Sequence, residues 1–288
     1  MNNENLSCVF IHKGYQPYLK YNLKITSKYN NVYLIGDDSL KPLANISNNI
    51  KFVNITRFEN SNQIRFFYQN FKNYSSNSFE FEWFCFARIF ILNEFMKEYK
   101  LERIFYSDSD NILLKNVNNL CFNEEIAYII PKQEDKHRMS ASIHSSLINS
   151  EFCNEFIKLF QGIYIDKTKF QLIEDKIKYH NEKNVAGGIC DMTLYFLLFN
   201  EGKLKIQNLL IPFSDKSGNE IVFMNQINTG EGYKANKNYE MKRKKLKIYS
   251  NGYIRNIMDD KKIAIGNIHF QGASKKNLNR FTKLRYQI

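Results

Sequence analysis

An α/β fold with a Rossmann-like, mostly parallel central sheet flanked by helices and a small C-terminal extension is what this 288-residue sequence predicts. Two observations carry the expectation. Apolar strand-like runs alternate with helix-like stretches early in the chain, the pattern of βαβ wiring. A long helical stretch, FEFEWFCFARIFILNEFMKEY, then delivers the chain straight into another apolar run, IFYSDSDNILL. No repeat, Pro-rich linker or low-complexity block intervenes, so residues 1–288 are expected to form one domain with a basic C-terminal segment, 241–288.

Each element follows from local pattern. Cys8 to Ile11 is an apolar strand, followed by a loop with His12, Gly14 and Pro17 and a short helix whose apolar set is Tyr18, Tyr21, Leu23 and Ile25. Val32 to Ile35 is a second strand ending in Gly36-Asp37-Asp38, and IKFVNI a third. From Phe79 to Tyr99, apolar residues at Phe84, Ala87, Ile91, Phe95 and Met96 recur at helical spacing. Ile104 to Leu114 returns to the sheet, and AYIIP (Ala127 to Pro131) forms another strand. The polar stretch QEDKHRMSASIHSS reads as a mobile loop. A helix from Glu151 to Phe160 precedes VAGGICDMTLYFLLF, where a glycine turn feeds a helix starting at Asp191. IVFMNQI, KLKIYS and IAIGNIHF read as short β pieces before the basic end.

Composition sets bounds. With 43% hydrophobic and 15% aromatic residues the chain can bury a sizeable core, which excludes disorder over most of its length. No window approaches the roughly 18 consecutive apolar residues of a membrane span, and MNNENLSCVF lacks the layout of a signal peptide, so a cytoplasmic protein is expected. The sequons at Asn45, Asn54 and Asn73 would then be silent. Cys8, Cys85, Cys121, Cys153 and Cys190 form an odd set without a C-x-x-C pair, which fits reduced thiols rather than a disulfide framework or zinc ribbon. Net charge is +12, and from Met241 onward thirteen Lys or Arg face only Asp259 and Asp260. Such an end can meet anionic membrane, phosphate-bearing substrates or nucleic acid, or be a solvated face.

Four short constellations carry chemistry. Asp108 and Asp110 follow the apolar Ile104-Phe105-Tyr106, at the carboxyl end of a strand, where open α/β sheets bind ligands. Two hard carboxylates one residue apart suit Mn²⁺ or Mg²⁺, and such an ion can neutralise a diphosphate; the bland reading is a solvated turn with two acids. IHFQGASK supplies His269, Gly272 and Lys275. An imidazole suits Mn²⁺ better than Mg²⁺, a glycine lets backbone amides approach phosphate, and a lysine gives a point charge. His269 could equally be a core histidine. Gly187 and Gly188 permit tight backbone geometry near a ligand, and Asp191 beside them either caps its helix or meets substrate. Arg88 lies on the helix leading to the two acids.

Taken in order, these pieces resemble GT-A glycosyltransferases. Asp108-Ser109-Asp110 is similar to their D-x-D motif, and Arg88 in FCFARIFIL looks like the arginine-bearing helix of family-8-type enzymes, the retaining transferases related to glycogenin and to lipopolysaccharide galactosyl- and glucosyltransferases. The H-x-x-G-x-x-K spacing from His269 to Lys275 resembles the C-terminal signature of that family. The resemblance runs from Cys8 to Lys275 and departs from the family at Val185-Ala186-Gly187-Gly188, where Asn-Ala-Gly is usual, and at His12-Lys13-Gly14, where an acid is common.

The resemblance implies a transferase moving a hexose from a nucleotide sugar, UDP-linked, to a glycan or glycolipid acceptor such as lipopolysaccharide or capsule, with retention of configuration. Asp108, Asp110 and His269 would hold Mn²⁺ or Mg²⁺, Asp108 also facing the donor. Gly272 and Lys275 would meet the diphosphate, Arg88 would clamp the donor, and Asp191 would contact the transferred sugar or stabilise charge at its anomeric carbon. Phe10, Ile11 and His12 would line the base pocket and Asp37 or Asp38 the ribose; His137 and His144, in the polar loop, either face an acceptor or simply face solvent. The basic end, LNRFTKLRYQI with Phe281, Leu284, Tyr286 and Ile288, would suit a peripheral contact at the inner membrane face. Two rivals come from other classes. A nucleic-acid-binding protein would be basic and aromatic too, but no motif of that kind is present, so no nucleic acid partner is expected. A metal-dependent nucleotidyltransferase would need a glycine-rich basic loop after the first strand, of which HKGYQPYLK is a poor version.

Overall fold

The computed structural model describes residues 5–226, 239–242, 245–249 and 252–279. The chain runs β1 Cys8–His12, α1 Pro17–Thr26, β2 Val32–Gly36, β3 Ile50–Asn54, α2 Thr56–Glu59, α3 Asn62–Asn70, β4 Tyr74–Ser75 and α4 Phe79–Tyr99. It continues through β5 Arg103–Ser107, β6 Asn111–Leu113, β7 Ile126–Ile129, β8 Ser142–Asn149, α5 Ser150–Tyr164, α6 Gln171–Lys183, β9 Gly188–Ile189 and α7 Asp191–Glu201. Then come β10 Ile206–Asn208, β11 Phe213–Ser214, β12 Glu220–Val222, β13 Met241–Lys242, β14 Lys245–Leu246, β15 Tyr253–Arg255, β16 Lys262–Ile265 and β17 Asn267–His269.

Seven strands form the central sheet in the order β10-β7-β8-β5-β1-β2-β3. Every pairing is parallel except those of β8, which runs antiparallel to both β5 and β7. The expected mostly parallel sheet with Rossmann-like wiring is therefore present, and β3-β2-β1-β5 is its doubly wound half. Helix α4 fills the bounds read from the sequence. Ser78 Oγ accepts from Phe81 N at its start, Glu80 and Glu82 sit in the first turn, and Lys100 closes it in the left-handed region. Its face of Phe86, Ile89, Phe90 and Phe95 is fully buried, packed with Phe67 of α3 and Phe156 and Phe160 of α5 in the larger core cluster. A second cluster lies among Cys8, Phe10, Leu34, Phe105 and Leu147.

The structure corrects two expectations. The stretch that reads as a mobile loop ends inside β8, a central strand; His144, Ser145 and Ser146 are polar yet buried, and hydrogen bonds with Ser142, Asn111 and the Ile143 carbonyl satisfy them. Phe10 is expected at a base pocket, but its side chain is 1% exposed inside the second core cluster, and Ile11 is buried as well. Helix α6 has no counterpart among the elements read from the sequence. The residues Phe281, Leu284, Tyr286 and Ile288 of the basic end lie outside the described residues. No helix among the described residues is long and apolar enough to cross a membrane.

Candidate functional site

The site begins where β5 ends. After Ser107 the backbone turns, with Asn111 N donating to the Asp108 carbonyl at 3.0 Å, and the three residues between β5 and β6 are fixed from several sides. Asn22 of α1 donates to the Ser109 carbonyl at 2.7 Å and the Asn111 carbonyl at 3.0 Å. Ser109 Oγ lies 3.0 Å from His12 Nδ1 and 3.2 Å from Tyr18 OH. Residues of β1 and α1 thus hold the middle of the D-x-D, which leaves the two carboxylates to point elsewhere. The half-buried Tyr18 and the buried Asn22 and Thr26 recur at four-residue spacing on α1, with Thr26 Oγ1 donating to Asn22 Oδ1 at 3.0 Å. That spacing is legible in the sequence, where only the apolar set of the helix stands out.

The C-terminal piece arrives by strand pairing. β17 lies antiparallel to β6 with His269 opposite Asn111, and Phe270 N donates to the Asp110 carbonyl at 2.9 Å. His269 Nε2 is consequently 3.3 Å from Asp110 Oδ1, while Lys275 Nζ is 3.0 Å from Asp110 Oδ2. His269 Nδ1 donates to the Asn225 carbonyl at 2.6 Å, which fixes the ring and turns Nε2 towards Asp110. Burial opposes charge on both partners. The contacts with His269 and Lys275 nevertheless hold the Asp110 carboxyl below the usual carboxylate range, and Asp110 draws the His269 imidazole up. His144 stacks on His269 with ring centroids 4.0 Å apart. Its Nε2 donates to the Met224 carbonyl at 3.1 Å, and burial, then the neighbouring His269, push it far below the usual histidine range, so it is neutral packing for the site rather than an acceptor contact.

One ligand atom from each of Asp108, Asp110 and His269 lies within 4.8 Å of the others. Two carboxylate oxygens and an imidazole nitrogen with its far nitrogen hydrogen-bonded are a fitting donor set for a hard-to-borderline divalent cation.

Arg88 joins this cluster to the glycine turn. Its Nη1 donates to Asp108 Oδ1 at 2.6 Å and its Nη2 to Asp191 Oδ2 at 2.6 Å. Tyr106 OH donates to Asp108 Oδ1 at 2.8 Å. The guanidinium expected to clamp a donor is thus committed to two carboxylates. Asp191 is the first residue of α7 behind Cys190 and accepts from Met192 N at 2.9 Å, so it answers its helix end and Arg88 together.

The glycines before it are needed for different reasons. Gly188, with φ +116°, pairs in β9 against β4, where a Cβ would overlap the Tyr74 carbonyl oxygen; Gly187, with φ +129°, has the His180 ring where its Cβ would be. Gly272 has φ +59° and open space around it, and opens the 3₁₀ turn that carries Lys275. On the other flank, Asp37 Oδ2 accepts from Gly14 N at 2.5 Å and Asp38 Oδ1 from Asn54 at 2.8 Å. His12 Nε2 is buried without a partner among the described residues, and burial followed by Lys275 lowers its pKa.

A cleft of about 670 Å³ opens beside the cluster, bordered by His269 and Gln271, by Gly187 and Gly188, and by His137, Lys176 and Tyr179.

No protein-family model matches the chain, and no curated protein does. Among solved structures, the chain is similar to the PaToxG glycosyltransferase, with 13% identity, a TM-score of 0.44, and 69% of this chain and 71% of that one covered. It is similar to a glycosyltransferase involved in the glycosylation of the major capsid of PBCV-1, at 9% identity and a TM-score of 0.42 over 96% and 99% of the two chains. GlyE of Streptococcus pneumoniae TIGR4, also described as a glycosyltransferase, aligns at 20% identity with a TM-score of 0.34, covering 71% of this chain but 45% of its own. All three scores are too low to carry functional meaning. The geometry of the charged cluster and its cleft carries it instead.

Proposed function

We propose that the protein is a divalent-metal-dependent GT-A glycosyltransferase that moves a hexose from a nucleotide sugar, UDP-linked, to a glycan or glycolipid acceptor such as lipopolysaccharide or capsule. One observation carries the reading. Asp108, Asp110, His269 and Lys275, more than 150 residues apart in part, meet at the carboxyl end of the parallel strands, the edge where doubly wound folds bind nucleotides.

Asp108, Asp110 and His269 would hold Mn²⁺ or Mg²⁺, which when bound supplies positive charge to the leaving diphosphate. The chain's own groups do the rest. Lys275, half-exposed beside Asp110, presents an ammonium to the same diphosphate, and Gly272 leaves room for a phosphate against its backbone. Asp191 faces the transferred sugar, and Arg88 acts as a positioning residue that fixes Asp191 against Asp108. His12 borders the donor, with Asp37 and Asp38 on the ribose flank. An acceptor hydroxyl attacks the anomeric carbon as the sugar–phosphate bond breaks, its proton passing to the leaving phosphate, with configuration retained. A single domain over residues 1–288, working at the inner membrane face and touching it through the basic end, completes the proposal.

The test is thermal stabilisation and hydrolysis with a panel of nucleotide sugars, with and without Mn²⁺, repeated on Asp110→Asn. Metal-dependent stabilisation by one nucleotide sugar, absent in the variant, is expected. No response to any of them would remove the proposal.

A further inference from the structure

Helix α6 and the loop between β7 and β8 build one wall of the 670 Å³ cleft. The rings of His137 and Tyr179 are stacked there with centroids 4.2 Å apart and planes 7° from parallel. Both border the cleft, as does the apolar Met139. Lys176, one turn before Tyr179 on α6, is buried; its Nζ donates to the Arg138 carbonyl at 2.7 Å and to Thr193 Oγ1 of α7 at 2.9 Å. That ammonium ties the loop to both helices, so the aromatic wall is held in place rather than carried on a free loop. The polar residues Ser140, Asn225 and Gln226 also border the cleft.

The combination selects a class of ligand. A flat aromatic face rewards a ligand with a flat, C–H-lined face, and a ring of dispersed hydrogen-bonding groups rewards one whose edges carry hydroxyls. A pyranose has both. The cleft is larger than one sugar ring and shares His269 with the proposed metal cluster, whereas Lys275 and Gly272, assigned to the diphosphate, are not among its lining residues. We infer that the His137–Tyr179 stack is the saccharide platform of an acceptor subsite, so that the acceptor is a glycan whose pyranose ring lies on Tyr179, not a bare lipid or a peptide hydroxyl. The inference rests on the transferase reading for the word acceptor, but the saccharide site itself stands on the cleft alone.

The experiment measures binding of a panel of free disaccharides by saturation-transfer NMR, with a serine- and threonine-containing peptide as comparator, in wild type, Tyr179→Ala, Tyr179→Phe and His137→Ala. Nucleotide-sugar binding with Mn²⁺ is followed in parallel by thermal shift. At least one disaccharide should bind wild type, bind Tyr179→Ala about tenfold more weakly, as loss of one aromatic stack with its burial implies, and bind Tyr179→Phe within about twofold. Nucleotide-sugar binding should stay unchanged in all variants, whose melting temperatures confirm folding. No disaccharide binding to wild type, equal binding by Tyr179→Ala and wild type, or binding of the peptide alone would each overturn the inference while leaving the transferase reading intact. Disaccharide binding that depends on Tyr179 in a protein blind to every nucleotide sugar would instead sink the transferase reading and keep the saccharide site.

Discussion

Replacing Arg88 by Met should destabilise the protein by an amount set mainly by Asp191. The side chains of Arg88, Asp108 and Asp191 are 12%, 25% and 6% exposed, and each carboxylate receives one guanidinium hydrogen bond at 2.6 Å. With Arg88 gone, Asp108 keeps the Tyr106 hydroxyl and can hydrate, so its share is small. Asp191 retains only Met192 N and little access to water, which leaves a largely buried charge without a counter-ion. Breaking a buried pair costs about 3–5 kcal/mol, and allowing for the hydration of Asp108 the expected loss is about 3 kcal/mol. Urea unfolding measures it. The decisive comparison is Asp191→Asn made in both backgrounds: destabilising in the wild type, where it breaks the pair, but stabilising by about 1 kcal/mol or more in Arg88→Met, where it removes the orphaned charge. An Arg88→Met protein within about 0.5 kcal/mol of wild type, or a substitution of Asp191 with the same sign in both backgrounds, would refute the reasoning.

Gly188→Ala should cost about 3 kcal/mol or more, because a Cβ would overlap the Tyr74 carbonyl oxygen on top of the strain of φ +116°. Gly218→Ala, at φ +80° with nothing within 4 Å, carries the strain alone and should cost about 1–2 kcal/mol; equal losses by urea unfolding would mean that the strand approach is not tight. Burial holds the Lys176 ammonium below its ordinary pKa, with Cys190 and Asp135 opposing and Arg138 assisting. The unfolded chain therefore binds the extra proton between the lowered folded value and the ordinary one, and stability should rise with pH through that window. The stability of wild type relative to Lys176→Met should be greater at about pH 9.5 than at about pH 7, and a difference independent of pH would rule this out. Lys275→Gln, which removes a half-exposed cation from Asp110, should weaken nucleotide-diphosphate binding in the presence of Mn²⁺ about tenfold by titration calorimetry; unchanged affinity would exclude Lys275 from the phosphate site.

The parallel half of the sheet is legible in the sequence because its strands are short apolar runs punctuated by Gly, Asp and Pro, and α4 is legible to its ends because Ser78 and Lys100 bracket an unbroken helix-forming stretch. β8 is not, since SIHSSLIN spends its first half on Ser and His, and their burial depends on partners far away in the chain. The order of Asp108, Asp110, His269 and Lys275 hints at one site, yet only the pairing of β17 with β6 brings them together. Arg88 and Asp191 stand out separately. Their contact lies between residues 103 positions apart and has no local signature. Phe10 misleads because β1 is buried on both faces, Cys8 and Phe10 in one core cluster and Val9 and Ile11 in the other, so that only His12 at its end reaches the site.

The reversed direction of β8 has a consequence for how the cleft wall is attached. In a wholly parallel sheet the chain leaving β7 would have to cross to the opposite edge before starting the next strand. Because β8 runs backwards, it starts on the edge where β7 stops, and residues 130–141 never leave the side that carries Asp108 and His269. The segment is a hairpin connection laid over the site, so no crossover depends on its length, while Ile130 and Ala141 at its ends anchor it in the core. The scaffold thereby separates two positions: the fixed strands hold the charged cluster, and one hairpin connection borders the cleft beside it.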